Sequence, residues 1–274
     1  MSNLDNILWQ RGVMAIVNAT PDSFYASSRT QSQQSVAERV CQAIEEGAAI
    51  IDIGGYSSRP DADDASVEEE WSRVDMAIAA TRAVSNDVPI SVDTFRSEVV
   101  RRAYEKYGEI VVNDITAGMG DDAMLATVAE LGVPYIAMHM RGTPQTMQKR
   151  TEYDDVVADV MSELNERLQA IKTAGIDLKK VAFDPGFGFA KTVEQNYELL
   201  AGLHKLKELG QPLLVGVSRK SMIYKPLGIT PDEALAATQA VHWEALCQGA
   251  TLLRVHDVRE AVETIKLYEK FTER

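Results

Sequence analysis

IVVNDITAGMGDDAMLATVAELGVPYIAMHM, residues 110–140, carries the fold in miniature. It opens on Ile110–Val112, a short apolar run of the kind expected for a strand buried on both faces. Asn113 and Asp114 follow at once. Asp121–Leu131 then reads as a helix and Gly132 as its stop. Tyr135–Met138 is a second buried strand, closed by His139.

The same unit recurs outward in both directions. Strands are expected at Val13–Val17, Ala49–Ile53, Pro89–Val92, Val181–Phe183, Leu213–Val217 and Thr251–Val255 as well. Between them, Ser35–Glu46 carries Val36, Val40 and Ile44 at four-residue steps. Ser66–Val84 opens with Ser66 and Glu69 in capping-box spacing, and a further helix starts near Phe95. Tyr153–Ala174, Val193–Leu209, Pro231–Gln248 and Val258–Phe271 follow. Gly47, Gly175, Gly210 and Gly249 stand where helices should end. Regular strand–helix alternation implies a parallel sheet. Eight units in 274 residues, with no linker or low-complexity tract, predict one α/β domain over residues 1–274, a (β/α)8 TIM barrel. A doubly wound open sheet is the alternative, but no GxGxxG follows the first strand.

Composition narrows the class. Hydrophobic residues make up 45% and charged residues 25% of the chain, the mix of a globular protein. The net charge of −13 disfavours nucleic acid and anionic lipid as partners. Basic groups for an anionic ligand must therefore be clustered locally. The two cysteines, Cys41 and Cys247, lack a CxxC partner and read as free thiols in a reducing cytosol. Met1–Arg11 shows no signal-peptide pattern, and no segment approaches the roughly 20 apolar residues of a membrane span. A cytoplasmic location is expected.

In a barrel of this kind function sits at the C-terminal ends of the strands. Polar residues gather there: Asn18, Asp52, Asp93, Asn113 with Asp114, His139, Asp184, then Ser218-Arg219-Lys220, then Arg254 and His256. A single Asp after a strand serves as a helix cap more often than as a catalyst, and Asp93-Thr94 read alone is a cap for the next helix. Their coincidence on one rim makes the set functional. Arg219, Lys220, Arg254 and His256 follow strands seven and eight, where barrels often hold phosphate. Asn18 and Asp22 offer oxygens suited to Mg2+ together with substrate phosphates. With no HExxH and no Cys/His cluster, a zinc site is not expected. Asp93, Asn113 and Asp184 supply acceptors and one amide for the edge of a flat heterocycle, with Phe189 and Met138 as stacking surface.

Eight motifs then resemble one family in order. Asn18-Ala-Thr-Pro-Asp-Ser-Phe24 and Asp52-Ile-Gly-Gly-Tyr-Ser-Ser-Arg-Pro60 resemble the first two signatures of dihydropteroate synthases. Ser91-Val-Asp-Thr94, Asn113-Asp-Ile115, Met138–Met147, Asp184-Pro-Gly-Phe-Gly-Phe-Ala-Lys191, Ser218-Arg-Lys-Ser221 and Arg254-Val-His-Asp-Val258 continue it. The resemblance covers essentially the whole chain. It implies condensation of 6-hydroxymethyl-7,8-dihydropterin pyrophosphate with para-aminobenzoate in folate biosynthesis. Asp93, Asn113, Asp184 and Lys220 would hold the pterin. Asn18, Arg254 and His256 would hold pyrophosphate, Asn18 also touching Mg2+. Phe24, Ser58, Arg59, Pro60, Phe189 and Ser221, with Lys220, would shape the para-aminobenzoate pocket. A homodimer through the last helices is implied too. Departures fall in the two loops after strands one and two: Tyr56-Ser57-Ser58 stands where Glu-Ser-Thr is usual, and Tyr25–Ser28 where Asp-Gly-Gly is common.

Two rival readings are a methyltransferase passing a methyl group from a folate to a corrinoid protein, and a non-catalytic pterin-binding paralogue. The first would have no use for Lys220 or Arg254-Val-His256. The second would take Tyr56 as its sign of lost catalysis.

Overall fold

The computed structural model describes residues 4, 6–19, 29–57 and 65–273. Its strands are β1 (Gly12–Asn18), β2 (Ile50–Gly54), β3 (Ile90–Asp93), β4 (Val111–Asp114), β5 (Tyr135–Met138), β6 (Val181–Asp184), β7 (Leu214–Val215) and β8 (Leu252–Val255). They form one parallel sheet in the order β6-β5-β4-β3-β2-β1-β8-β7. A single parallel bridge, Phe183 to Leu213, joins its two edges, with Phe183 N donating to Pro212 O at 2.9 Å. The result is the expected (β/α)8 barrel.

The helices are α1 (Arg29–Glu45), α2 (Val67–Val84), α3 (Ser97–Tyr107), α4 (Met124–Leu131), α5 (Val156–Thr173), α6 (Val193–Ala201), α7 (Ser221–Leu227), α8 (Leu235–Cys247) and α9 (Val258–Thr272). The Ser66/Glu69 capping box is formed at the start of α2, Ser66 N donating to Glu69 Oε2 at 2.8 Å. Three helical readings change. α1 starts ahead of Ser35. The run Val193–Leu209 breaks at Gly202 into α6 and a 3-10 turn, Leu203–Leu209. A Cβ on Gly202 would lie 2.6 Å from Val157 Cγ2, so α5 presses directly on the backbone there. Pro231–Gln248 opens as a 3-10 turn, Pro231–Ala234, before α8 begins.

Side chains alternate along each strand, and both faces are apolar over the lower half of the barrel. Outward residues such as Val13, Ala15, Val17, Ile51, Ile53 and Val112 pack under the helices. Inward, Met14, Ile50, Val111, Ile136, Ala182, Leu214 and Leu252 form a floor that Leu4, Ile7 and Leu8 seal from below. Two residues higher on β2, β4, β6 and β8 the inward position turns polar. Ile50 gives way to Asp52, Val111 to Asn113, Ala182 to Asp184, and Leu252 to Arg254. The period of two thus builds a polar site on an apolar floor.

Candidate active site

Arg254 organises the centre. Its Nε donates to Asp52 Oδ2 at 2.6 Å and its Nη2 to Asp93 Oδ2 at 2.7 Å. Asn113 lies beside Asp93 in the β3–β4 register and points its Nδ2 at Asp52 Oδ2, 3.3 Å away. The planar guanidinium fork suits two carboxylates at once. Asp52 is wholly buried, whereas Asp93 reaches the cavity. Burial pushes the Asp93 carboxyl up to about 7; Arg254 opposes this and the negative Asp52 adds to it.

Lys220 and Asp184 form the second charged pair. Gly216 leaves the floor between them bare, and a Cβ there would lie 3.8 Å from Asp184 Oδ2, Lys220 Nζ and Arg254 Cβ alike. Burial lowers Lys220 to about 8, against the pull of Asp184. Burial raises Asp184, and Lys220 counters it. Lys220 Nζ also donates to Phe187 O at 2.5 Å and stands 4.7 Å from the centre of the Phe189 ring.

Asp93, Lys220 and Arg254 border a cavity of about 730 Å³. Asn18, Asp93, Phe189, Lys220, Ser221, Arg254 and His256 line it. Asn113 and Asp184 are buried, at 3% and 5% exposure, next to Asp93 and Lys220. Met138 is buried too, in an apolar cluster with Ile115, Met140, Met147 and Ala190 against which Phe189 packs. His256 Nδ1 is 3.1 Å from Ser218 Oγ, and the crowding protein around the ring, then Arg254, push its pKa down to about 4. Phe24, Ser58, Arg59 and Pro60 lie outside the described residues. Among the described residues no group of three or more His, Cys, Asp or Glu could hold a metal ion. Asn18 presents a carboxamide at the cavity, with room beside its Oδ1 because residue 54 is Gly. One amide oxygen of this kind fits a hard cation that keeps most of its waters and takes phosphate oxygens.

Three rim residues do other work. Arg219 lines the cavity but is already paired with acids: its Nε and Nη2 grip Asp257 at 2.9 and 2.7 Å, and its Nη1 reaches Asp232 at 3.0 Å. Asp114 faces away from the barrel centre and caps its own loop through Thr116 N, Gly118 N and the Tyr135 hydroxyl. His139 lines neither this cavity nor the neighbouring one, where Tyr56, Phe95 and Gln145 meet. Asp93 is not a helix cap, because α3 starts under Asp121, whose Oδ2 accepts from Ser97 N at 2.8 Å. Asp52 is the site residue to which the motif gave no role. Its position inside β2 hinted at one, but its partner Arg254 is 202 residues away.

A carboxylate set for a heterocycle beside a cationic set for phosphates is thus in place, and comparison with known proteins gives it a family. The family of pterin binding enzymes matches residues 14–256. The chain is 43% identical to dihydropteroate synthase of Escherichia coli K12 over 257 residues, 94% of this chain and 90% of that one. The chain belongs to the dihydropteroate synthase family. Among solved members, Xanthomonas albilineans dihydropteroate synthase with 4-aminobenzoic acid superposes with a TM-score of 0.88 at 41% identity, covering 97% of this chain and 95% of that one. The same enzyme in complex with 7,8-dihydropteroate gives 0.86 at 38% identity, with 97% and 95% covered. Membership accounts for a site that has acceptors, cations and an aromatic wall but no paired nucleophile and base.

Proposed function

We propose that this chain joins the pterin and para-aminobenzoate with the residue roles that follow. The activity is that of the family: transfer of a pterinylmethyl group from the pyrophosphate ester to the aryl amine, giving 7,8-dihydropteroate and pyrophosphate. The observation that carries the assignment of roles is Arg254 held between Asp52 and Asp93, with Lys220 lining the same cavity and Asp184 buried beside it. Asp93, Asn113 and Asp184 accept from and donate to the polar edge of the pterin ring, and Lys220 donates to its acceptors. Arg254 and His256 face the pyrophosphate, which departs with concentrated negative charge. Positive charge that builds on the pterin methylene and ring is favoured by the two nearby carboxylates. Phe189 and Ser221 border the amine. The amine is neutral near pH 7, so the site has to orient it and need not deprotonate it.

Asn18 would hold Mg2+ together with pyrophosphate oxygens; the ion would supply charge neutralisation to the leaving group. We also propose a cytoplasmic homodimer. Leu267 and Phe271 on α9 are exposed at 65% and 57%, in keeping with an interface on the last helices. No helix among the described residues is long and apolar enough to cross a membrane.

Pyrophosphate release from the pterin substrate, measured with and without para-aminobenzoate, tests the whole scheme. Release that depends on the amine and on Mg2+ is expected. Pterin binding with no turnover under any condition would favour the non-catalytic paralogue instead.

A further inference from the structure

Behind the pterin side of the cavity lies a polar chain, buried at Lys191 and His139 and half-buried at Glu163 and Arg141, that the proposed roles do not use. Lys191, 4% exposed, directs its Nζ at three acceptors: His139 Nδ1 at 3.0 Å, Gly186 O at 3.0 Å and Phe189 O at 3.1 Å. The other imidazole nitrogen, Nε2, is 2.9 Å from Glu163 Oε2. Glu163 is in turn gripped by Arg141, whose Nε donates to Oε1 at 2.8 Å.

Arg141 keeps Glu163 ionised, so Oε2 accepts and His139 Nε2 must carry the hydrogen. The His139 ring is neutral, held down to about 4 by burial and by Lys191. Nδ1 is therefore bare and accepts from Lys191. Burial lowers Lys191 to about 7; in its ammonium form it has three N–H donors, one for each acceptor found here.

The clamped loop is the one that matters to the site. Asp184 opens it, with Oδ1 accepting from Gly186 N at 2.8 Å. Phe187 O holds Lys220, and Phe189 lines the cavity. The loop also lies hard against β5: Gly186 sits at φ +70°, and a Cβ there would be 1.9 Å from His139 O.

We propose that Lys191 is a positioning residue for pterin binding: oriented through His139 by Glu163 and Arg141, it holds the β6–α6 loop in the shape that presents Asp184 and Phe189 to the substrate. The inference rests on the proposed pterin role of Asp184. It implies that the acceptor at His139 Nδ1, and not the bulk of the ring, is what the clamp needs.

The test uses the full-length chain with Lys191→Met, His139→Asn and His139→Gln. Asn places an acceptor near the position of Nδ1, whereas Gln keeps only a donor near Nε2. Lys191→Met and His139→Gln should weaken the pterin pyrophosphate, read as KM and by calorimetry, on the order of 10- to 100-fold. His139→Asn should stay close to the parent, and affinity for inorganic pyrophosphate should hold in all three. Nitrogen NMR of the parent should find the His139 proton on Nε2. Equal loss in the two His139 variants, a proton on Nδ1, or unchanged pterin affinity in a folded Lys191→Met would each overturn the proposal. If Lys191→Met does not fold, the His139 pair and the NMR measurement still decide. Turnover by the parent is the separate control: its absence would count against the function and leave the His139 tautomer to judge the clamp.

Discussion

Asp93 and Lys220 face one cavity with opposite requirements. Asp93 must be ionised to accept from the pterin, and its pKa is raised to about 7 by burial. Lys220 must be protonated to donate, and burial lowers it to about 8. Activity should therefore rise as pH climbs through about 7 and fall as it passes about 8. A bell-shaped kcat/KM for the pterin substrate is expected, since that ratio reports groups of the free enzyme. Asp93→Asn should remove the acid limb, and Lys220→Arg should push the alkaline limb upward, because guanidinium does not lose its proton in this range. A flat profile from roughly pH 6 to 9 would contradict both assignments. At Arg254, Arg254→Ala should weaken inorganic pyrophosphate by roughly 10- to 100-fold, the scale of a lost charged hydrogen bond. A phosphate-free pterin should weaken less, through Asp93 alone. Calorimetry with both ligands separates the two, and equal losses would mean that Arg254 supports the pocket as a whole. Most of these residues were legible from the sequence because a carboxylate or cation directly after an apolar strand is conspicuous. Arg219 was equally conspicuous, but its pairing with Asp257 on the next strand's loop was not legible.

At the scale of elements, local signals held wherever the deciding partners are near in the chain. Ser66 and Glu69 cap α2 reciprocally. Ser66→Ala should cost about 1 kcal/mol, seen as a lower denaturant midpoint at unchanged slope, and Ser66→Thr should recover most of it. No change in midpoint would mean that α2 is held wholly by its packing. Gly132 ends α4 in the left-handed conformation, as its place after Leu131 suggested. α7 was not legible: it spans only Ser221–Leu227 and contains Pro226, a residue that argues against a helix. Nor was the need for glycine at 202, where the helix breaks, because the neighbour that leaves no room for a side chain is Val157 on α5, elsewhere in the chain.

Over the whole molecule the barrel has an apolar lower half and a polar upper half, and the two should respond separately to mutation. Leu8, 1% exposed, seals the floor beneath β1. Leu8→Ala should destabilise by about 2 to 5 kcal/mol, the range for emptying a buried leucine site, while KM for both substrates stays unchanged in the folded protein. Loss of substrate affinity without loss of stability would show that the floor and the site are not separable in this way. Eight strand–helix units, their order and the polar rim were determined by the sequence itself, because strand period, helix caps and strand-end polarity are written within a few residues of each other. Which rim residues act together was decided only by closure of the barrel. Closure brings Arg254 onto Asp52 and Asp93, turns Arg219 aside to Asp257 and Asp232, and buries Lys191 against His139. Apart from Arg219 with Asp232, 13 residues on, each is a contact between elements far apart in the chain, and charge pairing at a few ångströms has no signature in local sequence.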